Sequence, residues 1–300
     1  MPPSPLTIFA PAKVNLYLHV TGKRADGYHA LDSLVAFADI GDRVFIAAAE
    51  GFSFLVEGAF ATAFAARDLD ASPEGTNLVV RAVWGLSRIL GETPQFAVRL
   101  EKNLPLGGGI GGGSADAAAV VWGLLKYWDV KPEDVTGLDA FLLQLGADVP
   151  VCFYARALRM RGIGDVFDAA PRLPEMACVL VHPMRPSVTK NVFMHYTGGT
   201  RDITPLPPRF EGVTHVVDFL ERQGNDLYAA ACAGVPEIEN VLGALEAQDG
   251  CGLARMSGSG STCFGLFADA GAARAAAEEI ARDNPDWWVR AGVICDVERY

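Results

Sequence analysis

Apolar residues follow two rhythms along this chain, and each predicts a different element. Leu6 to Val20 (LTIFAPAKVNLYLHV) is rich in β-branched and aromatic residues and interrupted by Pro11, which predicts a strand pair or one bent strand. Lys23 to Leu31 is polar and carries Asp26-Gly27, a turn signal, so a loop is expected there. Strand-like patches recur at Asp42–Ala47 and Gly51–Val56, and Gln95 to Leu100 alternates between apolar and polar. Asn77 to Leu90 instead places apolar residues at helical spacing, with Asn77 as the expected N-cap. Ser114–Tyr127 reads as a buried helix and Leu138–Leu145 as another. The following GADVPVCFY reads as a turn leading into a strand.

The second half is less regular. VLVHP predicts a strand ending at Pro183, and a proline-rich stretch runs from Pro205 to Pro208. Helices are expected near Asn225–Ala233 and Glu237–Glu246, then strand, glycine turn and strand over Arg255–Phe267. An alanine-rich helix over Gly271–Arg282 and a strand over WVRAGVICDV, Trp288 to Val297, close the chain. Strands and helices mix without a steady βαβ alternation, which favours an α+β fold.

Composition narrows the classes. Three hundred residues, half of them hydrophobic and a fifth charged, suffice for a sizeable core and about two domains. The net charge of −11 argues against a nucleic-acid scaffold or an anionic membrane surface as partner. A small anionic substrate stays compatible, because a pocket can be locally basic in an acidic protein. The six cysteines are dispersed with no C-x-x-C pair, as expected of reduced thiols in a cytoplasmic protein. The N-terminal MPPSPLTIFAPAK has neither the basic nor the apolar region of a signal peptide, and no run of residues is apolar enough to span a membrane.

Candidate chemistry begins at KNLPLGGGIGGGSADAAAVV. Six of the seven residues from Gly107 to Gly113 are glycine, between an expected strand and an expected helix. A helix N-terminus has amides without internal partners and a positive dipole end, and glycines let phosphate oxygens reach those amides. The G-x-x-x-x-G-K-[ST] pattern fails, since Gly113 occupies the lysine position. Gly107, Gly109 and Gly112 satisfy G-x-G-x-x-G, but no second strand ending in an acidic residue follows about twenty residues on. Protein-kinase H-R-D and D-F-G signatures are absent.

PLGGGIGGGSADAAA resembles the phosphate motif of the GHMP kinases, small-molecule kinases that include galactokinase, homoserine kinase and mevalonate kinase. APAKVNL (Ala10–Leu16) resembles their N-terminal motif and RMSGSGSTCFGLF their C-terminal glycine motif, in the same order along the chain. TGKRADGYHAL (Thr21–Leu31) and LGADVPVCF (Leu145–Phe153) are similar to the branch of that family that phosphorylates 4-diphosphocytidyl-2-C-methyl-D-erythritol in the non-mevalonate route to isoprenoid precursors. GTNLVVRA, RGIGD (Arg161–Asp165) and NDL (Asn225–Leu227) agree with it, and the likeness spans roughly residues 8 to 297.

The resemblance implies a two-domain GHMP-kinase fold with the active site in the cleft between residues 1–155 and 156–300. It implies ATP as donor, Mg²⁺ as its companion, and the substrate's 2-hydroxyl as acceptor. Asp148 matches the family's catalytic aspartate and Lys13 its lysine beside the transferring phosphoryl group. Asn15 matches a residue that bonds the substrate near the reacting hydroxyl, and Tyr28, His29 and Phe193 fall where cytosine is held. Pro105, Gly107, Gly108, Gly109, Gly111, Gly112, Gly113 and Ser114 would hold the triphosphate, with Ser114 also suited to N-capping. Asn77, Leu78 and Lys102 would border the adenine, and Gly258–Thr262 would brace the phosphate loop or approach substrate. No acidic residue marks itself as a metal ligand. Asp116, in the expected helix's first turn, would repel a triphosphate if it faced one, so it is expected to point away. A homoserine- or mevalonate-type kinase, an NAD-dependent oxidoreductase and an inactive nucleotide-binding module are the alternatives. The RADGYH loop separates the first, since those substrates have no base to stack. Preference for NAD over ATP would mark the second, and loss of Asp148 or Lys13 the third.

Overall fold

The computed structural model describes residues 4–296; Val297, the last residue of the expected closing strand, lies outside them. The chain opens with β1 (Leu6–Lys23), β2 (His29–Ala48) and β3 (Ser53–Glu57), followed by α1 (Leu78–Leu90), β4 (Phe96–Glu101) and α2 (Gly112–Tyr127). Next come α3 (Leu138–Leu145), α4 (Val149–Tyr154), β5 (Leu158–Gly162), β6 (Val166–Ala169) and β7 (Met176–His182). Then follow α5 (Thr189–His195), α6 (Val213–Glu221), α7 (Tyr228–Gly234) and α8 (Glu237–Glu246). The C-terminal part adds β8 (Cys251–Met256), β9 (Cys263–Phe267), α9 (Ala270–Asp283) and β10 (Trp288–Cys295). This is an α+β fold.

One sheet runs through the whole molecule in the order β3-β4-β2-β10-β7-β9-β8, with β1 and β5 also on β2 and β6 on β5. β1 is one long strand rather than a strand pair. It passes Pro11 through a register shift and keeps pairing with β2, with Pro11 opposite Gly41. That site requires glycine, because a methyl on Gly41 would lie 2.3 Å from the Ala10 carbonyl oxygen. The polar stretch expected as a loop to Leu31 turns over residues 24–28 only, and His29 already belongs to β2. β5 pairs with the N-terminal β2, and β6 with β5, although both follow residue 155, and β10 joins Ala38 and Phe37 from the other end of the chain. The sheet therefore crosses the expected domain boundary.

Among the described residues, three apolar clusters hold the fold. The first packs α1, α2 and α3 on β2 and β4; the second packs α7, α8 and α9 on β7 and β9. The third, with Leu16, Tyr17, Leu34, Leu180, Phe264 and Trp288, joins the two halves. α1 forms as expected, with Asn77 Oδ1 accepting from the Val79 amide and Gly91 ending it in the left-handed region. GADVPVCFY is a correction: the segment after Asp148 is the short helix α4, not a strand. Its β-branched residues suggested extension, but Pro150 supplies a helical φ in the first turn, where its missing N–H costs nothing. α5 and α6 fall in stretches where no helix was expected.

Candidate active site

β4 delivers the chain into the glycine loop, and α2 receives it. Gly107, Gly109 and Gly111 all adopt positive φ (66°, 72° and 65°), which side chains rarely tolerate. Gly111 is the N-cap and α2 starts at Gly112, so Ser114 sits inside the first turn rather than capping it. No side chain caps this end, and Gly111, Gly112, Gly113 and Ser114 line the cavity described below.

The loop is keyed on both sides. The Lys13 amide donates to the Ile110 carbonyl (2.9 Å), and the Thr262 amide to that of Gly108 (3.0 Å). A methyl on Gly109 would meet the Ser257 and Gly260 carbonyl oxygens at 2.5 and 2.6 Å. The Ser257 hydroxyl donates to the Gly109 carbonyl (3.2 Å) and accepts from the Asn15 amide (3.1 Å). The turn Ser257–Thr262 thus braces the glycine loop, while Gly258 and Ser259 also line the cavity.

That cavity, about 420 Å³, is walled by the glycine loop, Lys13, Asn15, Leu78, Lys102 and Asp148, and closed by Met160, Thr189 and Phe193. Asp148 is the N-cap residue of α4, yet its carboxylate caps no amide. It accepts from the Lys13 ammonium at 2.8 Å, with side-chain exposures of 34% and 5% for aspartate and lysine. Asn15 Nδ2 donates to Ser33 Oγ (2.8 Å), which donates to the Tyr17 carbonyl (2.5 Å). This fixes the amide, and Asn15 Oδ1 has no protein partner.

Lys102 sits differently from a residue expected beside the adenine. Its ammonium is buried between Asp42 Oδ2 (2.5 Å) and Asp116 Oδ2 (2.6 Å) beneath the start of α2. Burial opposes its charge, but Asp116 and Asp42 outweigh burial and hold the lysine above its ordinary pKa. Burial, reinforced by Asp42, pushes the Asp116 carboxyl well up. Asp116 turns toward Lys102, not into the cavity. Asn77 does not line the cavity either; its amide caps α1 and donates to the Asp68 carbonyl.

A second cavity of about 790 Å³ shares Leu31, Ile163, Thr189 and Phe193 with the first and is lined by Lys23, Tyr28, His29, Lys190 and Tyr196. His29 stacks on Phe193 (centroids 5.5 Å apart, 21° between planes) and meets the Tyr196 edge. Tyr28 stands 63% exposed at the rim. Burial, then Lys23, lowers the His29 pKa, favouring a neutral ring. Thr189, which sequence reasoning missed, lines both cavities and bonds Ser259 Oγ (2.8 Å). Its position four residues before Phe193 was the available signal.

A cation beside a carboxylate, an uncapped helix end and an aromatic side cavity suit phosphoryl transfer between a nucleotide and a small base-bearing molecule. The GHMP kinases N terminal domain matches residues 77–156, and the GHMP kinases C terminal domain matches residues 227–286. Over 285 residues the chain is 46% identical to the 4-diphosphocytidyl-2-C-methyl-D-erythritol kinase of Paramagnetospirillum magneticum, covering 94% of this chain and 96% of that one. Over 286 residues it is 49% identical to that of Cereibacter sphaeroides, with the same coverage. A crystal structure of a 4-(cytidine 5'-diphospho)-2C-methyl-D-erythritol kinase matches with a TM-score of 0.77 at 32% identity, over 97% of this chain and 99% of that one. On likeness of this extent the chain belongs to the GHMP kinases, enzymes that phosphorylate small molecules with ATP, and among them to the 4-diphosphocytidyl-2-C-methyl-D-erythritol kinases.

Proposed function

We propose that this protein transfers the γ-phosphoryl group of ATP to the 2-hydroxyl of 4-diphosphocytidyl-2-C-methyl-D-erythritol, in the cytoplasm, within the non-mevalonate route to isoprenoid precursors. The observation that carries this reading is the Lys13–Asp148 pair, 2.8 Å apart in a cavity walled by the glycine loop. Phosphoryl transfer asks the protein chiefly for positioning and charge stabilisation. The triphosphate lies along Pro105 and Gly107–Ser114, with its oxygens on the first amides of α2. Leu78 borders the nucleotide, and Asn77 supports that wall from its cap position. Asp148 accepts the hydroxyl proton while Lys13 steadies charge on the transferring group.

Asn15 Oδ1, without a protein partner, receives a substrate hydroxyl. Tyr28, His29 and Phe193 hold the cytosine by stacking and edge contacts. In this reading residues 1–155 and residues 156–300 form two domains, and the cleft is lined from both. Among the described residues no three His, Cys, Asp or Glu side chains gather around a metal position. A Mg²⁺ carried on ATP phosphates needs few protein oxygens, and the Ser114 hydroxyl fits as one. Bound there, Mg²⁺ would neutralise negative charge on the phosphate groups.

The test is ADP release from MgATP with 4-diphosphocytidyl-2-C-methyl-D-erythritol, with homoserine and mevalonate in parallel and Asp148→Asn as the control. Turnover on the first substrate alone, lost by orders of magnitude in the variant, is expected. No turnover by the folded native chain overturns the substrate, and turnover retained in Asp148→Asn removes that residue as the base.

A further inference from the structure

The Asp42–Lys102–Asp116 cluster touches none of the reacting groups, yet it lies directly behind the glycine loop. The three side chains are each 3% exposed or less. Burying three ionisable groups is unfavourable unless their geometry compensates. The position is also a poor one for a lysine, since the N-terminal end of a helix disfavours positive charge.

The bonds identify what the cluster holds. Asp42, from β2, accepts from the Lys102 ammonium through Oδ2 and from the Asn103 and Leu104 amides (2.5 and 2.8 Å) through Oδ1. Those amides belong to the chain just before the glycine loop. Lys102 is pinned in turn, its amide donating to the Glu57 carbonyl and its own carbonyl accepting from the Phe60 amide. Asp116 brings in α2, just after the loop. The Lys102 ammonium also stands 3.1 Å from where a methyl on Gly112 would be, against the helix's first residue. One buried ammonium therefore fixes both ends of the glycine loop. It lies between two carboxyl groups, so it has no positive charge left over for a phosphate.

We infer that Lys102, Asp42 and Asp116 are positioning residues for the phosphates of ATP, acting through the shape of the glycine loop and not by contact with the nucleotide. The inference rests on the ATP-kinase reading above. It predicts that breaking the cluster weakens binding in proportion to phosphates on the loop, and leaves the base pocket and acceptor site alone.

The test is calorimetric binding of ATP, ADP and AMP to the full chain, the Lys102→Met/Asp116→Asn double variant and Asp116→Asn. The double variant removes one group of each sign and keeps side-chain volumes close to native. Displacing a positioned group by about 1 Å costs on the order of 10²-fold, so ATP and ADP should weaken by about tenfold or more. AMP binding and KM for 4-diphosphocytidyl-2-C-methyl-D-erythritol should stay within about twofold, as for a distant site. Unchanged ATP and ADP binding in the folded double variant overturns the inference. Equal loss of AMP overturns it too, since Lys102 would then act at the base wall. If the double variant does not fold, the same comparison on Asp116→Asn decides. A native chain that binds no ATP would overturn the kinase reading itself.

Discussion

The Lys13 ammonium and the Asp148 carboxylate, 135 residues apart in sequence, meet at 2.8 Å in the cleft. β1 brings the lysine and the N-cap position of α4 the aspartate, so neither element alone forms the pair. Among the described residues that line the cavity, Lys13 and Lys102 are the two cations, and Lys102 is held between two carboxyls. Lys13 is therefore the cation with charge to offer.

Lys13→Met should separate catalysis from stability. Asp148 is a third exposed, so water can solvate its carboxylate, and an ion pair of that kind contributes about 1 kcal/mol or less to folding. Loss of one preorganised charge at the transferring group should lower kcat by roughly 10²–10³. Steady-state ADP release and a thermal melt check both arms; a kcat within threefold of native, or about that, would remove Lys13 from the chemistry.

Two glycines of the loop should respond oppositely to alanine. Gly109 has φ of 72° and carbonyl oxygens at 2.5 and 2.6 Å from the new methyl, so the backbone itself must move. Gly109→Ala should lose about 1–3 kcal/mol of stability. Gly113 has ordinary helical φ, and its methyl would meet only Leu78 Cδ1, at 3.8 Å. Gly113→Ala should hold or gain stability by up to about 1 kcal/mol, while its methyl crowds the cavity and raises KM for ATP. Melting curves beside KM for ATP test the split, and equal stability loss in both variants would refute it.

His182 should make the fold acid-sensitive. It ends β7 behind the glycine loop, where a methyl on Gly108 would touch its ring at 3.4 Å. Its Nδ1 accepts from the Met184 amide (3.1 Å), a bond that a protonated ring cannot accept. Burial lowers its pKa from 6.5 to about 4. The unfolded chain thus binds the extra proton first. Stability is full above about pH 6.5, falls as pH drops toward 4, and loses about 3 kcal/mol across that window from this group. Denaturant unfolding of native protein and His182→Gln between those pH values measures it. A native slope no steeper than the variant's would contradict the assignment.

The sequence by itself determined the local elements whose signals are local. Asn77 and Gly91 bracket α1 because a cap and a left-handed stop need only their own turns. The run Gly107–Gly113 marked a loop between strand and helix, because so many bare backbone positions in one place suit a tight turn. Motif likeness named Lys13 and Asp148. Tertiary structure decided the rest. β1 continues through Pro11 because Gly41 on the neighbouring strand leaves room. α4 forms where β-branched residues suggested a strand because Pro150 starts it and the first apolar cluster accepts Val149, Val151 and Phe153. The Lys102 ammonium turned out to be enclosed because Asp42 and Asp116 come from separate elements, and no spacing along the chain reveals that meeting. Local conformation is written in adjacent residues. Which charges meet in a cleft depends on how a sheet spanning both halves brings distant strands together.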